Sequence, residues 1–365
     1  CPIELLHIGP GRLGAVTQCL AILRSWVQWL VCGWCASVLP AHAMPGACES
    51  TEHLALQEVL PGLAVLHGQW PSQIEGQLAH AVTTVVLGQG RELTVVDPGP
   101  TQKVGLALKA TLQCQGHGRV IGLINTHAHA EQVLGNRAFQ VPVAATAVTT
   151  ASMKVRCPNC LQAMRQELGV PALQGTRIVW PTRILRDGQP LRAGGRSWQV
   201  KEMAMAHTES DLVLWSADDG IALVGGLVDG ERIPLLAQGR VLGWVQALDA
   251  LQALQPKWLI GQHVVRGPGE VQGAIERQRA YLCGLVKFAW QGLESGWSEA
   301  EVLQGAVSTA LWRPESVSQE ALGQESAWKQ QHLFNQLRAW REIEAIWIDQ
   351  QAAPRACLSA PDVAR

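Results

Sequence analysis

The segment VIGLINTHAHAEQVLGN, residues 120–136, constrains this chain more than any other. Its continuous apolar run reads as a buried strand, and the strand runs into a polar loop carrying His127 and His129. Two imidazoles two residues apart converge on one cation only if the loop turns sharply, which a strand-to-loop exit permits. The placement recurs: His207 ends the strand-like SWQVKEMAMAH and His263 closes WLIGQH. Of eleven histidines, these four sit at the ends of apolar strands, where α/β sheets gather their ligands. One such histidine alone would read as a hydrogen-bonded structural residue. Four in this order read as a metal site.

The rest of the chain supplies the framework for these strand ends. LTVVDPGP, 93–100, reads as a strand closed by a Pro/Gly turn, and 101–114 has helical spacing through Val104, Leu108 and Leu112. An Ala/Val segment at 141–148 precedes a helix over 149–168, with Pro158 inside it or breaking it. Strands are predicted at 178–180, 198–205, 212–216, 221–228 and 258–261, with a helix at 241–254 closed by Pro256. Interleaved strands and helices predict an α/β fold. After Gly273 the pattern becomes helical. Apolar stripes run through Leu282, Leu285, Val286, Ala289 and Leu293, and through Leu333, Leu337, Trp340, Ile343 and Trp347. Between them Ser298 and Glu301 form a capping box. All read as core-facing helices.

Composition excludes two classes. With 47% hydrophobic and 16% charged residues the chain is too apolar for disorder. Its 29 Lys and Arg against 30 Asp and Glu leave a formal net charge of −1, without the basic excess that nucleic-acid binding needs. The start reads as an export signal: a weakly cationic stretch, the apolar run at 25–39, then Ala41-His42-Ala43 as a cleavage site. That run is shorter than the roughly 20 residues a membrane span needs, so no stable span is expected after cleavage. Residues 1–43 are therefore assigned to a signal peptide and the protein to the periplasm or the secreted fraction. Six cysteines would remain beyond residue 43, in a compartment that permits disulfides.

In order and spacing, VVDPGP, NTHAHAEQVLGN, AHTESDL, ALVGGLVDGERIP and IGQH resemble the five signature regions of the metallo-β-lactamase-fold hydrolases. RIPLLAQGRVLGWVQALDALQAL, RQRAYL and FNQLRAWREIE are similar to the exported branch called quinoprotein relay system zinc metallohydrolases. The resemblance implies a four-layer αβ/βα sandwich over 55–268, with a helical C-terminal extension, 269–350, packed on it. The metal would lie at one edge of the paired sheets.

The resemblance also implies a ligand set. His127, His129 and His207 match the first zinc position. The family's first motif reads His-x-His-x-Asp-His, where this chain has Glu131 and Gln132, and its bridging Asp falls on Gly226. Three neutral imidazoles still leave an open position on zinc, and such a centre lowers the pKa of bound water to about 7. The expectation is one zinc ion and a degenerate second position, where His263 serves a second metal or the substrate. Restoring Asp at 226 and His at 132 is expected to raise metal content. Glu131 and Asp211 are the candidate catalytic carboxylates, and Asp97 is expected to support the loops.

Cys157-Pro158-Asn159-Cys160 admits a redox pair, half a zinc knuckle or a local disulfide. No second such pair completes a zinc ribbon, so a structural disulfide is expected. Two functions follow. One is a hydrolase of an ester, thioester or similarly activated small-molecule acyl substrate. The other is a non-catalytic periplasmic accessory or binding protein of a quinoprotein system that keeps the fold.

Overall fold

A computed structural model describes residues 54–68, 82–230, 233–304, 325–349 and 354–358. The signal-peptide assignment lies outside them. Strands β1 (Gln57–Leu60), β2 (Leu63–Leu66), β3 (Thr84–Leu87) and β4 (Glu92–Val96) form an antiparallel meander. It continues in parallel through β5 (Arg119–Ile124), β6 (Val143–Thr146) and β7 (Arg183–Leu185). A second sheet has the order β13 (Val265–Arg266), β12 (Trp258–Gly261), β11 (Ile221–Gly225), β10 (Ser210–Ser216), β9 (Arg196–Ala204) and β8 (Pro190–Ala193). Only its β11–β12 pair is parallel.

The sheets are apolar on both faces, which is why their strands read as unbroken apolar runs. Val85 and Leu87 of β3 point to the core between the sheets, whereas Val86 points to the outer layer of α1 (Gln102–Cys114). In β11, Ile221 and Leu223 face inward, while Ala222 and Val224 meet the helices outside, α4 (Val241–Ala253), α5 (Val271–Glu294) and α7 (Glu325–Ile348). Period-two alternation thus places every second residue in a different core. The result is a mixed α/β sandwich of two sheets with helices outside.

Helix starts follow their caps. Thr101 Oγ1 accepts from Val104 N at 3.1 Å to open α1. Thr146 does the same for Thr149 N at 3.0 Å, so α3 (Ala147–Leu168) starts two residues before its predicted position. Ser298 and Glu301 form the expected reciprocal box at α6 (Glu299–Gln304).

Four expectations need correction. Residues 178–180 are irregular and the strand is β7 instead; Pro181 has no N–H for a ladder, and pairing begins where Thr182 N donates to Val143 O. The strand at 221 ends at Gly225, whose φ of 52° turns the chain. On α7, Leu333 and Trp347 are exposed, whereas Trp340 and Ile343 are buried beside His332, Asn335 and Gln336. Finally, Cys157 and Cys160 are both unbonded. They lie on one unbroken helix, α3, despite Pro158. Cys157 packs against Ala128, Val133 and Met153, and Cys160 against Ala130, Leu134 and Met164. Burial in two separate apolar clusters keeps each thiol protonated, pushing Cys157 up to about 12.

The C-terminal helices are tied to the sandwich by polar contacts as well as by their apolar stripes. Asn335 donates to Pro234 O at 2.6 Å and to Tyr281 Oη at 2.9 Å, and accepts from Leu236 N at 3.0 Å. Glu342 accepts from Val241 N and Leu242 N. A disulfide joins Cys283 of α5 to Cys357, 74 residues later, and Cys114 is also disulfide-bonded. Closing a loop of 74 residues restricts the unfolded chain by up to about 4 kcal/mol. Replacing Cys283 and Cys357 together by Ser should therefore lower the urea midpoint measurably. An unchanged midpoint would show that the helices hold without the cross-link.

Candidate metal centre

The parallel pair β4–β5 brings two strand ends together, and a hydrogen-bond relay starts there. Asp97, at φ 52°, turns its carboxylate onto the next strand's exit: Oδ1 accepts from Thr126 N at 2.9 Å and Oδ2 from Thr126 Oγ1 at 2.6 Å. The single hydroxyl proton of Thr126 is thereby committed, and its lone pair faces His127 Nδ1 at 2.9 Å. The consistent arrangement has His127 protonated at Nδ1. That leaves the lone pair on Nε2, a buried atom with no hydrogen-bond partner among the described residues. Burial pushes Asp97 up to about 7 although both Thr126 bonds pull it down.

His129 begins the short helix α2 (Ala130–Val133), and its carbonyl accepts from Gln132 N and Val133 N. This is the sharp turn that two imidazoles two residues apart require. His207 comes from the second sheet, in the turn between β9 and β10. Leu212 N donates to Thr126 O at 2.8 Å, so backbone bonding locks that turn to the end of β5. Asp211 closes it: its two oxygens accept from Thr208 N at 2.8 Å and Thr208 Oγ1 at 3.1 Å. Asp211, expected among the catalytic residues, is thus engaged in holding the His207 turn. Burial raises it to about 7 against those bonds.

The three imidazoles form one cluster. Their ring centroids lie 4.7–4.9 Å apart, all edge-on, and His207 Nε2 approaches His129 Nδ1 to 3.3 Å. One nitrogen from each ring falls within 4.8 Å of the others, and all three residues are buried. Burial first, then the neighbouring imidazoles, hold His127 and His207 well below the usual histidine range, so both stay neutral. His129 differs. Burial would lower it too, yet Glu131, Asp211 and Gln238 outweigh that and raise it. Glu131 Oε1 lies 3.4 Å from His129 Nδ1, and although burial works against it, His129 and His263 keep the carboxylate below its ordinary value.

This donor set fits a zinc ion: three converging imidazoles, two of them held neutral, and an orphaned ring nitrogen. His263 is half-buried after β12, its Nε2 3.1 Å from Gln262 Nε2. It lies near enough to influence Glu131 and His207 but outside the three-ring group. Sequence reasoning missed Thr126, Gln238 and Trp244, whose ring lies 4.9 Å from that of His207. Only Thr126 carried a signal, as a hydroxyl immediately before the first histidine.

Replacing His127 or His207 by Ala should strip most bound zinc, read by elemental analysis, while His263→Ala should leave it largely in place. Equal loss in all three would put His263 in the ligand set. Thr126→Val should weaken zinc binding by roughly 10- to 100-fold, the usual effect of losing a ligand's hydrogen-bond partner.

Solved structures of other proteins share this architecture. A protein from Burkholderia ambifaria described as a beta-lactamase domain protein superposes with a TM-score of 0.54 at 16% identity, covering 85% of this chain and 91% of that one. A metallo-beta-lactamase family protein from Thermus thermophilus gives 0.55 at 16% identity, covering 81% and 98%. The stereoselective inverting sec-alkylsulfatase Pisa1 from Pseudomonas sp. gives 0.58 at 15% identity, covering 79% of this chain but 49% of that one. These likenesses concern the fold. No match was found among curated proteins. The family model of the metallo-beta-lactamase superfamily matches residues 79–263, just over half of the sequence and the whole span from β3 to His263, so the chain belongs to the metallo-beta-lactamase superfamily.

Proposed function

We propose that the protein is an exported, zinc-dependent hydrolase of an ester, thioester or similarly activated acyl compound, working at a single-zinc centre of His127, His129 and His207. The observation that carries this reading is the convergence of three buried imidazoles onto one point. Zinc bound by three imidazoles supplies Lewis acidity and a water acidic enough to act near neutral pH. The protein's own groups do the rest. Glu131, held ionised, orients the water and takes its proton. The Asp97–Thr126 pair fixes the His127 tautomer, and Asp211 fixes the turn that presents His207. His263, set to one side, receives the leaving group or a product anion.

Export is supported by the signal-like segment 1–43 and by the Cys283–Cys357 bond, which suits an oxidising compartment. A periplasmic quinoprotein system as partner rests on the resemblance of the segments around Leu236, Tyr281 and Asn335, which hydrogen-bond to one another. A second reading, a non-catalytic accessory protein of that system, rests on Glu131, Gln132 and Gly226 standing where the family pattern has ligands.

Elemental analysis of the purified protein, joined to a panel of chromogenic ester, thioester, lactam and secondary alkyl sulfate substrates, separates these. The hydrolase reading expects one zinc per chain and turnover of an acyl substrate that is lost on chelation and regained with zinc. Bound zinc without turnover of any substrate would favour the accessory reading. Absence of any metal would sink the hydrolase.

A further inference from the structure

Strand β11 ends at Gly225 and Gly226 follows it, and what their missing side chains leave room for is the candidate metal centre itself. A Cβ placed on Gly226 would lie 2.4 Å from Cδ2 and 2.6 Å from Nε2 of His207. One placed on Gly225 would lie 2.4 Å from Oγ1 of Thr126, the hydroxyl facing His127 Nδ1. Gly225 also has φ 52°, where a side chain would be strained. Carbon atoms do not approach so closely, so any substitution must move the ring or the hydroxyl.

His207 has little space to move into. The Trp244 ring stands 4.9 Å away and is pinned by its own bond, Nε1 to Leu227 O, at 2.9 Å. Behind the histidine, Gly239 abuts the Ala206 carbonyl so closely that a Cβ there would sit 1.6 Å from the oxygen. Arg240 N donates to Met205 O and Ala206 O from the same side.

We propose that the Gly225–Gly226 step is the positioning element of the metal centre: Gly225 clears the volume that the Thr126 hydroxyl occupies, Gly226 clears that of the His207 ring, and the step limits the centre to one ion. The limit follows from the same contact. While the His207 ring fills the space above Gly226, no ligand-bearing side chain can be presented from that position. On this proposal Asp at 226, with His at 132, adds no second ion, because the new carboxylate would displace a ligand of the first. The inference rests on the metal-centre reading for its stoichiometry but not for the collision.

The test separates the two. In the metal-free full chain, melting temperatures are measured for wild type, Gly226→Ala, His207→Ala and the double variant. Gly226→Ala should lower the melting temperature beside an intact His207 and have little effect once the ring is removed. If Gly226→Ala fails to fold, folding of the double variant is the expected rescue. An equal loss in both backgrounds, or a double variant no better folded, overturns the positioning role.

Zinc titration against a chromophoric chelator then reads the centre. Gly226→Ala should weaken zinc by roughly 10- to 100-fold, and Gly226→Asp should bind no more than one ion. Gly122→Ala, on β5 with only Pro142 O at 3.9 Å from its Cβ, should bind as wild type does. Two ions in Gly226→Asp, or wild-type affinity in Gly226→Ala, overturns the proposal. A wild type that takes no zinc defeats the hydrolase reading, while the melting cycle still decides the role of Gly226.

Discussion

The committed proton of Thr126 organises this protein's chemistry. Because the hydroxyl donates to Asp97, it accepts from His127, and a neutral imidazole with one defined tautomer points into the interior. The geometry needs β4 and β5 parallel and adjacent, so that a residue just past one strand reaches a residue just past the next. It also needs Asp97 in the left-handed region, an uncommon conformation to which Asp is better suited than bulkier residues. Sheet order, backbone strain and side-chain chemistry thus meet in one short chain of hydrogen bonds.

The parts of the fold legible in sequence were those written in period and punctuation. The helix opened by Thr101 and the box at Ser298 were readable because each uses a local hydrogen bond whose partners lie three residues apart. The three imidazoles were readable because each lies just past a strand-like run: His127 and His129 after VIGLI, and His207 after SWQVKEMAMA. What stayed hidden is non-local. Nothing near residue 97 announces that its carboxylate will find Thr126, and nothing near Trp244 announces that its ring will lie beside His207.

The errors have a common cause too. The motif at Cys157 suggested a local bond, but neighbouring helical turns bury the two thiols in separate apolar clusters, a choice made by the packing of α3 under the 127–134 loop. On α7 the stripe through Leu333 and Trp347 was outweighed by a polar face, because Asn335 serves the loop at Pro234 and Leu236 as well as Tyr281. Local apolar spacing could not anticipate a helix whose buried face mixes Ala339, Trp340 and Ile343 with His332, Asn335 and Gln336.

The three imidazoles are divided between the two sheets: His127 and His129 follow β5 of the first, and His207 lies in the turn between β9 and β10 of the second. A cation shared by all three would act as a rivet across the sandwich. The free energy of closing that edge then becomes a mass-action quantity, growing by about 1.4 kcal/mol for every tenfold rise of free metal above its dissociation constant. The sandwich's resistance to splaying at this edge would report the metal activity of the compartment in which the protein resides.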